Sequence, residues 1–237
     1  MPNYYGPKIA TDGLQLYLDA ANVKSYTGSG NSWADLSGNN NTGTLSGPTF
    51  SSADVGSIAF DGTDDIVTIS NPTTIRNQNF AFSVWLNPLA QNTAIISIVD
   101  FDHATVPLQG WVFQSEDATT NRYYYLGWHD GTQFQPVGGL GAGLGIQVTT
   151  SRWQNIVYSK NGTSLLGYLN GAQVYNRTGT SSNVNYQSSR NLRIGSCIGA
   201  ASRAFKGNIS HFSIYNRALS AIEVLENYNA TKTRFGL

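Results

Sequence analysis

Apolar residues in this chain come in short runs whose period is mostly two, separated by stretches of Gly, Asn, Ser and Thr. That is the pattern of half-buried strands joined by turns. Residues 1–12, with Pro2 and Pro7 opposing helix, read as an extended lead-in, and Leu14–Leu18 is the first strand. Residues 22–48 form a long polar loop pinned by Trp33 and Leu36. Ser57–Phe60 and Ile66–Ile69 flank a turn at Gly62-Thr63-Asp64. In Phe80–Leu86 large and small residues alternate, which predicts a strand buried mainly on one face. Further strands are expected at Ile95–Val99, 111–114, 122–128 and 146–149, with a glycine-dense flexible loop over 137–145. Trp153–Ser159 and Ser164–Leu169 flank Asn161-Gly162, a strong hairpin signal. Asn170-Gly171 makes a second turn before Gln173–Tyr175. Leu192–Ile194 and Ile209–Tyr215 complete an all-β, antiparallel two-sheet sandwich over residues 1–237, with no second domain, repeat or linker.

One helix is expected. Ser220 precedes Ala221-Ile-Glu223-Val-Leu-Glu226-Asn-Tyr228, and Glu223 stands three residues after Ser220, the spacing of a capping box. Residues 229–237 follow as a tail.

Composition narrows the function. The 14 basic and 14 acidic residues cancel and do not cluster, which argues against nucleic acid as a partner. With 12% charged residues, the surface is dominated by hydroxyls and amides, which suits sugars or packing in an assembly. No apolar run approaches the roughly 20 residues that cross a bilayer. Met1–Ala10 has neither a basic nor an apolar signal region, so synthesis in the cytoplasm is expected. The single cysteine, Cys197, excludes an intrachain disulfide and reads as a small core residue. His211, between Ser210 and Phe212 on a strand, reads as a satisfied sandwich histidine.

Aromatic residues carry the recognition signal. In Arg122-Tyr123-Tyr124-Tyr125-Leu-Gly-Trp128-His129-Asp130 a strand sends Tyr123 and Tyr125 to one face and Tyr124 to the other. Rings that stack sugar faces beside amides and acids that bond their hydroxyls form a common small-ligand site. The candidate ligand-binding set is therefore Tyr123, Tyr124, Tyr125, Trp128, His129, Asp130 and Trp111, joined by Asp100 and Asp102 at the end of the 95–99 strand.

Five segments in order carry a family resemblance. They are Trp33-Ala-Asp35-Leu-Ser37-Gly38-Asn39-Asn40, Phe60-Asp61-Gly62-Thr63-Asp64-Asp65, and Phe82-Ser-Val-Trp85, then Arg152-Trp153 through Tyr168-Leu-Asn170-Gly171, and Phe205-Lys-Gly207 through Ile214-Tyr215-Asn216-Arg217-Ala-Leu219-Ser220. Together they resemble the laminin-G-like jelly rolls of the concanavalin A-like lectin/glucanase superfamily. The resemblance implies a jelly-roll sandwich and assigns Trp33, Trp85 and Trp153 to its core. Glucanases of that superfamily carry Glu-x-Asp-x-x-Glu on one strand. This chain has only Glu116, Glu223 and Glu226 and lacks the motif, so no enzymatic activity and no catalytic residues are expected. Asp61, Asp64 and Asp65 resemble the first calcium-ligand segment of pentraxins and are the candidate metal ligands. The matching second segment, Ser196 to Ala200, offers no carboxylate, and the alternative is that Asp64 and Asp65 cap the turn. No cofactor is required, and calcium is the one with a candidate site.

The ends, Gly13-Leu14-Gln-Leu16-Tyr17-Leu18-Asp19-Ala20 and Asn229 to Leu237, resemble those of stand-alone virion proteins of tailed bacteriophages. The resemblance implies a virion module made in the host cytoplasm, a homo-oligomer within an assembly. Its partners would be other virion proteins and host-surface glycans. A decoration protein binding only virion subunits is the alternative, and a secreted carbohydrate-binding adhesion module the second.

Overall fold

In a computed structural model, the structure describes residues 8–52, 55–91, 95–101, 109–116, 122–136, 145–186, 189–197 and 203–237. The strands form two antiparallel sheets. The first, eight-stranded, runs β15(Ala172–Arg177), β14(Ser164–Leu169), β13(Gln154–Asn161), β7(Phe80–Pro88), β17(Lys206–Tyr215), β5(Ser57–Asp61), β4(Thr49–Ser51). Its remaining strand, β1(Leu14–Asp19), pairs with the second half of β17, while β5 pairs with the first half. The second, nine-stranded, runs β11(Phe134–Gln135), β10(Arg122–His129), β9(Trp111–Glu116), β8(Ile95–Phe101), β16(Leu192–Ile194), β6(Ile66–Ile69), β3(Gly43–Ser46), β2(Ser32–Trp33). Here β12(Ile146–Val148) shares the free edge of β10 with β11. The sandwich expected from the sequence is observed.

Between the sheets lies an aromatic core. Phe82, fully buried, meets Trp111 with the two ring planes 2° apart and centroids 5.7 Å apart, Phe113 at 4.9 Å, Tyr158 at 6.0 Å and Phe212 at 6.2 Å. Such stacked and tilted ring pairs each add about 0.5–1.5 kcal/mol beyond their area burial. The Asn170-Gly171 turn forms as predicted, with φ of 51° and 80° and Leu169 paired to Ala172. Two positive φ values in a two-residue loop match the twist of the flanking strands.

Several expectations need correction. β7 is buried on both faces. Its outward residues Ala81, Ser83 and Trp85 are covered by the C-terminal helix α1(Ala221–Thr231) and the segment after it. Ala81, Val157, Tyr168, Tyr215, Leu219 and Val224 form a second small core there. The capping box closes as expected: Glu223 N–H donates to Ser220 Oγ, and Ser220 N–H to Glu223 Oε2. Arg217 grips the same carboxylate through both terminal nitrogens, and that bond pulls the Glu223 carboxyl down to about 2. The helix runs past Tyr228 to Thr231 and passes into a 3₁₀ turn at Lys232–Phe235, so the expected tail is docked. Trp85 Nε1 donates to Thr231 Oγ1 at 2.8 Å, and Phe235 stacks on Trp85 at 3.9 Å. Arg234 bonds both oxygens of the buried Asp19 at 2.7 and 3.0 Å. His211, beneath this cover, is buried with no hydrogen-bond partner on either ring nitrogen, and burial pulls it down to about 4. It is a neutral ring packed against Tyr17, without the hydrogen bond expected of it among the described residues.

The polar loop over 22–48 contains β2 and β3, and Leu36 is only half-buried. Asp35 is the pin: its carboxylate accepts from the Tyr17, Ser37 and Asn41 amides and from Ser37 Oγ. A strap over 180–185 closes one end of the sandwich. Val184 N–H donates to Gln78 Oε1, Asn185 N–H to the His129 carbonyl, and Asn183 Nδ2 to the Asp130 carbonyl.

Lys160 holds that end from inside. Its side chain is 0% exposed, its ammonium donates to the Gln78 and Ser182 carbonyls at 2.8 Å and to Gly162 at 3.3 Å, and it lies 5.2 Å from the Trp128 ring centre. Burial pulls the amine from 10.5 down to about 8. Between those values the unfolded chain holds a proton that the folded chain has released, so stability rises with pH across this window. We predict that wild type gains about 1–2 kcal/mol over Lys160→Met between pH 7.5 and 9.5 in urea denaturation. A pH-independent difference would show that this amine does not titrate there.

Candidate functional site

The predicted aromatic set splits across β10. As expected, Tyr123 and Tyr125 share one face and Tyr124 the other, but the second face is the core. Tyr124, Trp128 and Trp111 are 1%, 0% and 0% exposed and belong to the interior cluster. Trp128 and Trp111 are direct cross-strand partners, so both indoles point inward. These three residues cannot stack a sugar.

Outward residues of the second sheet form a polar row. Tyr125 pairs with Gln114, Gln114 with Ser97, and Asp100 with Val112 and Arg193, which pairs with Thr68. Gln114 Nε2 donates to the Tyr125 hydroxyl. This row is not an open surface, since Asp100 is 1% and Tyr125 4% exposed, and Ser97, Gln114 and His129 are buried as well. Burial lowers His129, and its ring packs against Phe134. Burial also raises the Cys197 thiol, with the Asp100 charge adding to the effect, in keeping with an inert interior cysteine. Asp130 serves the chain itself. Burial works against its charge, but bonds from the Gln133 and Thr132 amides, Thr132 Oγ1 and Gln135 Nε2 hold the carboxyl well below its usual range. Asp102 lies outside the described residues.

Carboxylate geometry bears on catalysis. Asp100 pairs with Val112, four residues along β9 from Glu116. That places the two backbones about 13 Å apart at ~3.3 Å per residue. Glu223 is consumed by its cap and by Arg217.

An open groove lies where the edges of the two sheets meet, between β12 and β14–β15. Tyr123, Gly145, Ile146, Gln147, Thr149, Leu169 and Val174 line a hollow of about 600 Å³. Tyr123 is the one predicted aromatic that reaches it. Near its end stands Trp153, expected in the core but half-buried beside Arg152 and Asn170. Sequence reasoning missed Gln147, Thr149, Leu169 and Val174. The exposed hydrophobic Val174, on the second strand of a predicted hairpin, was the available signal.

Asp61, Asp64 and Asp65 do come together, with one oxygen of each within 4.8 Å of the others. Two of them are engaged with their own turn: Asp65 Oδ2 accepts from the Asp61 amide at 2.7 Å, and Asp61 Oδ1 from the Thr63 amide at 2.7 Å. Burial raises the Asp65 carboxyl, opposed by the Asp61 amide and reinforced by the charges of Asp61 and Asp64. Calcium takes six to eight oxygens, so these three carboxylates, two of them already accepting from backbone amides, would have to be joined by further ligands to hold it. Asp65→Asn keeps the accepting oxygen and removes a crowded charge. At pH 7 it should be as stable as wild type or more so by up to about 1 kcal/mol, and added calcium should shift the melting temperature of neither protein. A calcium-induced rise in wild type that Asp65→Asn loses would assign the cluster to metal binding.

The sequence profile of the concanavalin A-like lectin/glucanases superfamily matches residues 61–225. Among solved structures, Trypanosoma rangeli sialidase in complex with 2,3-difluorosialic acid is similar at a TM-score of 0.64 and 11% identity, covering 97% of this chain and 35% of that one. The binding domain of botulinum neurotoxin serotype D/C gives 0.66 and 13%, covering 93% and 52%. The binding domain of Paraclostridial Mosquitocidal Protein 1 gives 0.65 and 17%, with the same coverage. This chain therefore spans from a third to a half of those structures, and the likeness is one of fold. No curated protein matches the sequence. With the two-sheet sandwich, the profile match over well more than half of its length places this chain in the concanavalin A-like lectin/glucanases superfamily.

Proposed function

We propose that this protein is a non-catalytic module that contacts carbohydrate, carried on the surface of a tailed-bacteriophage virion. The observation that carries the reading is the edge groove. It sets the Tyr123 ring beside the amide of Gln147, the hydroxyl of Thr149 and the apolar Leu169 and Val174, the mixture that binds a sugar by its face and its hydroxyls. Support for a non-catalytic role comes from the lack of a Glu-x-Asp-x-x-Glu strand motif in the sequence and from Glu223, which is committed to its cap and to Arg217. The virion setting rests on the sequence resemblance of the chain's ends. There the protein would assemble with other virion proteins and present the groove to host-surface glycans.

A second reading has its own observation. Ile222 and Leu225 on α1 are 71% and 47% exposed, apolar side chains that would suit packing against another virion subunit. A decoration protein that binds only virion subunits would use that face. The two readings separate on a broad glycan array, read with calcium and again with chelator. Carbohydrate contact predicts specific binding that Tyr123→Ala weakens about tenfold or more, roughly 1.4 kcal/mol, and that chelator leaves intact. A blank array with folded protein would favour the decoration role.

A further inference from the structure

The groove continues beyond Thr149. A second hollow of about 400 Å³ runs on from Thr149 and Leu169, which border both, to Arg152, Trp153, Asn170 and the C-terminal Phe235 and Leu237. Each hollow falls within the roughly 300–1,000 Å³ of small-ligand sites, so end to end they hold more than one ring-sized group. Resting on the carbohydrate reading above, we propose that the two form one extended site for a linear, largely uncharged oligosaccharide, with Tyr123 and Trp153 as stacking rings toward its two ends.

The chemistry of the lining sets the ligand class. Among the described residues no charged side chain lines the Tyr123 hollow, which suits neutral sugar units. Among the described residues Arg152, exposed, is the charged side chain lining the second hollow, and it is where an acidic substituent would be met. Gln154 also lines this end, but its amide is spent on the Thr149 backbone, giving to the carbonyl at 2.7 Å and taking from the N–H at 3.1 Å. That bond fixes the floor between the two rings. One wall of the second hollow is the docked C-terminal segment. Phe235 lies 4.9 Å from Trp153 and 3.9 Å from Trp85, and the neighbouring Arg234 is clamped to Asp19. The far half of the site is therefore assembled by residues some 80 positions apart in the chain, and it is rigid because Phe235 is held by stacking and Arg234 by a paired charge.

The test is a length ladder. Oligomers from disaccharide to octasaccharide, prepared from the glycan with the strongest array signal, are titrated calorimetrically against the intact protein. Wild type should gain about tenfold or more in affinity between the disaccharide and the first length that spans both hollows. Trp153→Ala should flatten that rise, and Tyr123→Ala should weaken every length. If Trp153→Ala does not fold, the exposed Arg152→Ala takes its place, with loss of affinity confined to the longer oligomers. Equal affinity at all lengths, with Tyr123 still required, would overturn the two-hollow site and leave the carbohydrate reading standing. No binding of any oligomer by folded wild type would overturn both.

Discussion

The structure depends on β7 being buried on both sides. Phe80, Phe82, Val84 and Leu86 face the other sheet, while Ala81, Ser83 and Trp85 face outward and are just as dry. A sandwich alone covers only one of those faces. Trp85 in particular would leave a large ring and an indole N–H at the surface. The C-terminal helix and its following turn supply the missing layer. Thr231 takes the indole hydrogen, Tyr228 and Phe235 stack on the ring, and Arg234 neutralises the buried Asp19 alongside. Removing Arg234 would leave the buried Asp19 carboxylate without its ion-pair partner, so the cover is an integral part of the fold.

That cover also shapes the surface. The sandwich is open along one side, where β12 lies at the margin of one sheet and β14 and the edge strand β15 lie at the margin of the other. The same C-terminal segment that shields Trp85 reaches Trp153 at this margin and turns a bare edge into a walled groove. Recognition surface and structural shield thus share residues. The polar row on the outer face of the second sheet, by contrast, is enclosed, with Gln114 bonded to the Tyr125 hydroxyl within it.

Much of the fold was legible from residues 14 to 228, because strand period and turn chemistry are local signals. The Asn170-Gly171 turn, the alternation through 122–128 and the Ser220–Glu223 cap appear as read. Which face of β10 is interior was not a local property. Trp128 and Tyr124 share a parity, and so do Trp111 and Phe113 opposite them, while Gln114 takes the other parity. That amphipathic pattern of β9 was present in the sequence and pointed inward for the tryptophans. Trp153 erred the other way. Its place in a family segment suggested core, but it sits just before β13, where the strand has not yet entered the sheet. Two-residue strands such as β2 and β11 carry too few positions to show any period, and they form only because a neighbour's edge is there to be paired.

The position of β17 has a consequence for how this chain acquires its structure. One edge of that strand is shared by β1 and β5 and the other is taken by β7, so segments from near both ends of the chain meet on residues 206–215. Contacts of such long sequence separation must overcome the entropy of closing large loops before they are rewarded, which slows folding. While the protein is being synthesised, β7 has an open, hydrophobic edge until the last strand emerges, the kind of exposure that promotes association between nascent chains. The sandwich therefore closes late and as a unit, with the strand that completes the first sheet arriving only some twenty residues before the C-terminal segment that shields Trp85.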